Sequence, residues 1–162
     1  MSREREVTVG RVAGVQRSGG GVPKVAVDRA DVFFAGMDGD WQRNRTYHGG
    51  PDRALCLYSM ELIDALAAEG HPMLPGTVGE NVTLHGISWT VLQPGTRLRM
   101  GTVDVEVTAF AVPCRAIVKA FADGRIGRIS EKANPGWSRV YVRVLREGSI
   151  AVGDRAYVFR NI

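Results

Sequence analysis

Val112-Pro113-Cys114-Arg115 is the stretch of this sequence with the most reactive chemistry. A thiol placed where a loop becomes a helix feels the positive end of the helix dipole, and the neighbouring Arg115 adds a full cation. Both favour the thiolate, the form that acts as a nucleophile or a metal ligand, and soft sulfur suits molybdenum, copper or zinc. The second cysteine, Cys56, lies inside Ala54-Leu55-Cys56-Leu57-Tyr58 and reads as a packed core residue.

Two further constellations stand beside Cys114. In Tyr47-His48-Gly49-Gly50-Pro51-Asp52-Arg53-Ala54 the glycines and proline predict a tight turn, from which His48 and Arg53 would reach an anion or a substrate. The same residues also fit a plain turn in which Asp52 pairs with Arg53. In Pro75-Gly76-Thr77-Val78-Gly79-Glu80-Asn81, glycines flank an acid and an amide. That pattern fits either a binding loop or a brace in which Glu80 and Asn81 satisfy buried backbone amides. His48, His71 and His85 are too widely spaced for a zinc site, and no CxxC pair accompanies them. A phosphate-binding P-loop, a dinucleotide-binding GxGxxG and a Gly-x-Ser-x-Gly elbow are likewise missing from the sequence.

These residues need a scaffold, and the pattern predicts a mainly β one. Strands are expected near 7–15, from Val25, over 54–58, at 81–84, at 97–100 paired with 103–107, over 140–145, and at 156–159. Gly10 and Gly14 should bend the first strand. A helix should begin at an N-cap Ser59, carry Met60, Ile63, Leu66 and Ala67 on one face, and stop at Gly70 before Pro72. A second short helix is expected over 116–122. Seven or eight short strands with two inserted helices predict a closed or nearly closed barrel, in one domain whose core runs over about 7–159.

Composition sets the outer limits. With 44% hydrophobic and 23% charged residues in 162, the chain is neither disordered nor fibrous. The net charge of +4 comes from 21 basic and 17 acidic residues, too small a surplus to predict a nucleic-acid partner. No apolar run reaches the ~18 residues of a transmembrane helix, so no membrane partner is expected. The first residues lack an export signal and two cysteines make no disulfide framework, so the expected compartment is the cytoplasm.

Taken in order, Gly21-Val22-Pro23-Lys24, Gly39-Asp40-Trp41-Gln42, His48 to Ala54, Leu57-Tyr58-Ser59, Pro75-Gly76 with Gly79-Glu80-Asn81, Pro113-Cys114 and Val152-Gly153-Asp154 resemble the MOSC domain, named for the C-terminal part of molybdenum cofactor sulfurases. The likeness is to its small stand-alone bacterial YiiM-like members. It implies a β-barrel like the barrel domain of pyruvate kinase. It implies that Cys114 is the functional cysteine, ligating molybdenum held by a pterin dithiolene in relatives that reduce N-hydroxylated compounds. It further implies Lys24, Arg53 and Arg115 as cofactor contacts, with His48, Glu80 and Asn81 serving the reaction. The expected partners are a small-molecule substrate, the molybdenum–pterin cofactor and a separate electron-donor protein; a homodimer is allowed. No resident pyridoxal phosphate, iron–sulfur or flavin site is expected. The same cysteine could instead carry sulfur as a persulfide, and the arginines could instead make the chain a non-catalytic module for an anionic ligand.

Overall fold

The computed structural model describes residues 4–41 and 50–161, with side chains over 8–41 and 50–159. In chain order the strands are β1 (Glu4–Arg17), β2 (Val25–Val27), β3 (Arg29–Phe33), β4 (Gly36–Met37) and β5 (Leu55–Ser59). Helix α1 (Met60–Ala68) follows, then β6 (Val82–His85), β7 (Arg97–Met100), β8 (Val103–Phe110), β9 (Val140–Arg146), β10 (Gly148–Ala151) and β11 (Arg155–Asn161). Short 3-10 turns occupy Pro51–Arg53, Trp89–Val91, Arg115–Ala120 and Ile126–Ile129.

Seven strands close on themselves in the order β1-β11-β7-β8-β9-β5-β6 and back to β1, with β2 added beside the end of β1. The long first strand makes closure possible. It pairs with β11 over Glu4–Arg11, with β6 over Arg11–Val15 and with β2 over Val15–Arg17. Its register shifts between Glu6 and Thr8 and again between Val12 and Gly14. Such bulges raise the local twist and bend a strand around a barrel. Gly14 sits at the second bulge, where a Cβ would overlap the Gln16 side-chain amide. Gly14 therefore sits at a bend, as the sequence predicts, whereas Gly10 lies in regular register with β11.

Every residue of β5 is buried, as its continuous apolar run requires, because the barrel interior lies on one side and α1 on the other. β5 and β6 form the one parallel pair among the described strands, joined through α1. The helix starts where Ser59 Oγ accepts the Leu62 amide at 3.2 Å and buries Ile63 and Leu66. Gly70 follows at φ +101°, a left-handed value that ends the helix at low steric cost. β8 alternates in the expected way, with Val103, Val105 and Val107 inside the barrel.

Two features depart from the sequence reading. The second helix is a 3-10 turn over Arg115–Ala120. Ile117 and Ala120, three residues apart, are its buried residues, and a repeat of three matches 3-10 geometry better than α. A small second sheet, β10-β3-β4, also stands outside the barrel. Its signal was the alternation in Arg29-Ala30-Asp31-Val32-Phe33, of which Ala30 and Val32 are buried. No helix among the described residues is long and apolar enough to cross a membrane.

Candidate functional site

Cys114 ends the extended stretch that follows β8. Ala111 still bonds across to β9's lead-in residue, its amide donating to the Arg139 carbonyl at 2.9 Å. Cys114 itself keeps extended dihedrals (φ −128°, ψ 170°), and its carbonyl accepts the Ile117 amide at 3.2 Å to begin the 3-10 turn. The thiol residue is half-buried, and neither cysteine forms a disulfide. A six-residue 3-10 turn aligns few peptide dipoles, so the field of a full helix, expected at this thiol, is largely missing.

Cys114 is felt electrostatically at the Tyr141 phenol, which also feels Arg139 and Arg53. Tyr141 lies in β9 opposite Cys56 of β5 and Ala109 of β8, and it packs with Cys56 and Ala111 in a small cluster apart from the main core. The Arg53 guanidinium lies 5.2 Å from the centre of the Tyr141 ring, a cation–π placement. Burial lifts the Tyr141 phenol to about 12; the nearby Cys56 and, more weakly, Cys114 add to the rise, while Arg139 and Arg53 oppose it. The phenol therefore keeps its proton at neutral pH. Arg139 is itself buried: Nη1 donates to the Val78 carbonyl at 2.7 Å, and Nε has no hydrogen-bond partner among the described residues. An orphaned buried guanidinium nitrogen is costly unless a water or an anionic group reaches it.

Arg53 comes from the 3-10 turn Pro51–Arg53, the tight turn expected before β5. It lines two clefts. One of about 240 Å³ is bordered by Phe33, Asp40, Trp41 and Gly50; the other, about 450 Å³, by Asp52, Glu106, Thr108 and Arg143. Cys114 is not among the lining residues of either.

The remaining predicted residues fall into three groups. Glu80 and Asn81 are wholly buried, and their side chains are engaged with the protein. Glu80 accepts the Gly76 amide at 3.0 Å and the Thr83 hydroxyl at 3.2 Å; Asn81 accepts the Cys56 amide at 3.0 Å. These are the bonds of the bracing alternative, and they tie the 76–81 loop to the strand that carries Cys56. Burial raises the Glu80 carboxyl to about 7 against the lowering effect of its hydrogen bonds and Arg139. Lys24 is buried in an ion pair, its Nζ 2.6 Å from Asp40, whose same oxygen accepts the Ser18 amide at 3.0 Å. Much of its charge is answered inside the protein. Arg115 is exposed on the turn after Cys114, and His48 lies outside the described residues.

Tyr141 and Arg139 were missed by sequence reasoning. Tyr141 looks like one more residue of an apolar strand, and Arg139 like the polar residue before it. Only the pairing of β9 with β5 and β8 sets Tyr141 opposite Cys56 and brings the preceding Arg139 near it.

As a metal site the described residues are incomplete, since no three His, Cys, Asp or Glu side chains gather. The donor set fits a metal that arrives with its own sulfur ligands and takes one protein thiolate, while the buried Arg139 Nε has no partner among the described residues to answer its charge.

Several known proteins are similar to this chain. "Uncharacterized protein YflK" of Bacillus subtilis (strain 168) is 30% identical over 123 residues, covering 75% of this chain and 55% of YflK. "Protein YiiM" of Escherichia coli (strain K12) is 29% identical over 122 residues, covering 72% and 54%. The chain thus spans about half the length of the curated relatives it matches. Among solved structures, the YUAD protein of Bacillus subtilis superposes with a TM-score of 0.75 at 19% identity, covering 98% of both chains. YiiM of Geobacillus stearothermophilus superposes at 0.69 with 24% identity, covering 92% of this chain and 74% of that one. These two likenesses speak to the fold. The profile of the MOSC domain family matches residues 44–157, so this chain belongs to the MOSC domain family.

Proposed function

We propose that the protein binds a molybdenum–pterin cofactor through Cys114 and reduces N-hydroxylated compounds. The observation that carries this reading is the setting of Cys114 in a MOSC chain: a half-buried thiol outside any disulfide, whose charge is felt at the Tyr141 phenol that Arg53 covers. When bound, the cofactor supplies the two-electron redox change.

The chain's own residues hold, orient and screen. The Cys114 thiolate provides the protein ligand. Arg53 and the exposed Arg115 present guanidinium forks to the cofactor's phosphate, with Lys24 contributing what charge Asp40 leaves it. The Tyr141 phenol, protonated at neutral pH, can donate a hydrogen bond toward the site. Glu80 and Asn81 act as positioning residues, holding the 76–81 loop against Cys56. For a hydroxylamine the reaction breaks N–O, forms N–H and releases water, taking up two electrons and two protons.

The test is metal and pterin analysis of protein from a host that makes the cofactor, with hydroxylamine reduction driven by reduced methyl viologen. Cys114→Ala should lose both molybdenum and turnover. A variant that keeps both would overturn the reading. A persulfide mapped to Cys114 after incubation with a cysteine desulfurase, without bound molybdenum, would replace it with sulfur transfer.

A further inference from the structure

Beyond Arg115, the turn that follows Cys114 carries a mixed apolar and cationic surface that the reaction does not use. Its three-residue repeat buries Ile117 and Ala120 and leaves Arg115, Val118 and Lys119 exposed. Val112, two residues before the thiol, is 78% exposed. Residues 114–132 contain five basic and two acidic residues, so most of the chain's +4 resides in this one segment. One of the five, Arg128, is held by Glu69 (2.9 and 2.7 Å) and lies 3.8 Å from the centre of the Trp137 ring. The two acids face their own turns: Asp123 accepts the Arg125 amide at 3.0 Å, and Glu131 accepts the Gly136 amide at 3.0 Å. Lys119, Arg125 and Lys132 remain exposed, with no ion-pair partner among the described residues. The turn Arg115–Ala120 packs against the turn Ile126–Ile129, so these cations share one structural unit with the residue that follows the thiol.

We propose that this collar docks an acidic electron-donor protein beside Cys114; the inference rests on the reductase reading. Val112 and Val118 would be the apolar centre of the contact and the cations its rim, the arrangement that speeds encounter and fixes orientation. A nucleic acid fits less well, because the only aromatic residue in the segment, Phe121, is buried and leaves no surface for base stacking. A one-electron iron–sulfur donor would dock twice per turnover. Two reduced donors are oxidised while one N–O bond is reduced to N–H and water, with two protons drawn from solvent.

The experiment uses the cofactor-loaded protein, its Lys119→Glu/Arg125→Glu/Lys132→Glu variant, and an acidic plant-type [2Fe–2S] ferredoxin as the probe. Ferredoxin binding is measured by calorimetry at about 20 mM and about 300 mM salt, alongside turnover with ferredoxin and with methyl viologen. Wild-type binding should weaken with salt, and the variant should bind at least about tenfold more weakly at low salt, with viologen-driven turnover and molybdenum content unchanged. Equal binding by variant and wild type, no binding at low salt, or tighter binding of a single-stranded oligonucleotide to the same collar would overturn the proposal. Charge-dependent ferredoxin binding without viologen-driven reduction would sink the reductase reading and leave the docking surface standing.

Discussion

Cys56 and Cys114 are the same side chain in opposite circumstances. Cys56 sits in the middle of β5, where burial pushes its thiol up to about 11 despite the nearby Arg139 and Lys24. Its backbone is held at both polar ends, the amide by Asn81 Oδ1 and the carbonyl by the Asn81 amide at 2.8 Å. Cys114 sits half-buried at the end of a loop, before an exposed cationic turn. Both thiols act on the Tyr141 phenol, Cys56 more strongly, and they differ most in solvent and backbone. A strand core makes sulfur a packing atom; a loop-to-turn junction leaves it half-open to solvent.

The largest effects should separate the two cysteines directly. Cys114→Ala is expected to lower viologen-driven hydroxylamine reduction by more than about 100-fold while leaving the melting temperature nearly unchanged. Cys56→Ala should do the reverse, keeping molybdenum and costing about 1–2 kcal/mol of stability by denaturant titration. Iodoacetamide should modify the native protein at Cys114 and reach Cys56 only on unfolding, as peptide mapping would show. Equal labelling of both would erase the contrast.

Next in size is the loop that braces Cys56. Gly76 adopts φ +90°, and a Cβ there would meet the Lys24 carbonyl oxygen inside contact distance. Gly76→Ala should destabilise by about 2–4 kcal/mol in denaturant titration, by strain and overlap together.

A smaller and more diagnostic effect belongs to Glu80. Its folded carboxyl titrates near 7, against 4.5 as its ordinary value. Below about pH 4.5 folded and unfolded chains both hold the proton. Between 4.5 and 7 the folded chain holds more, so Glu80 makes stability fall as pH rises, and above 7 its contribution is level. Glu80→Gln should remove that slope, gaining on the wild type between pH 5 and pH 8 in paired urea titrations. An unchanged difference across that range would mean the carboxyl ionises normally.

The smallest stability change should come at the lip. Arg53→Ala removes the guanidinium from the Tyr141 ring, at a cost of less than about 1 kcal/mol. Cofactor retention through gel filtration should fall more visibly than the melting temperature. That outcome would place Arg53 with Cys114 and not with the Cys56 core.

Much of the frame was legible because local physics dictates it. Ser59 and Gly70 bracket α1 through a hydroxyl cap and a left-handed glycine, both readable from residue type. The apolar run at 55–58 and the alternation of Val103, Val105 and Val107 declare their strands. The small β10-β3-β4 sheet was harder to read, since its strands are short and β10 lies more than a hundred residues from its partner β3. The turn after Cys114 took the tighter helix because its buried residues repeat every three positions.

The sequence by itself determined which thiol lies in a strand and which at a loop junction, because the apolar run around Cys56 and the proline before Cys114 act on their immediate neighbours. Tertiary structure alone decided what surrounds them. Tyr141 and Arg139 reach Cys56, and Arg53 reaches Tyr141, through strand register and barrel closure, and those are set by pairings between segments distant in the chain. The burial that raises Glu80 and Cys56 has the same origin, since desolvation is a property of the closed barrel and not of any residue within it.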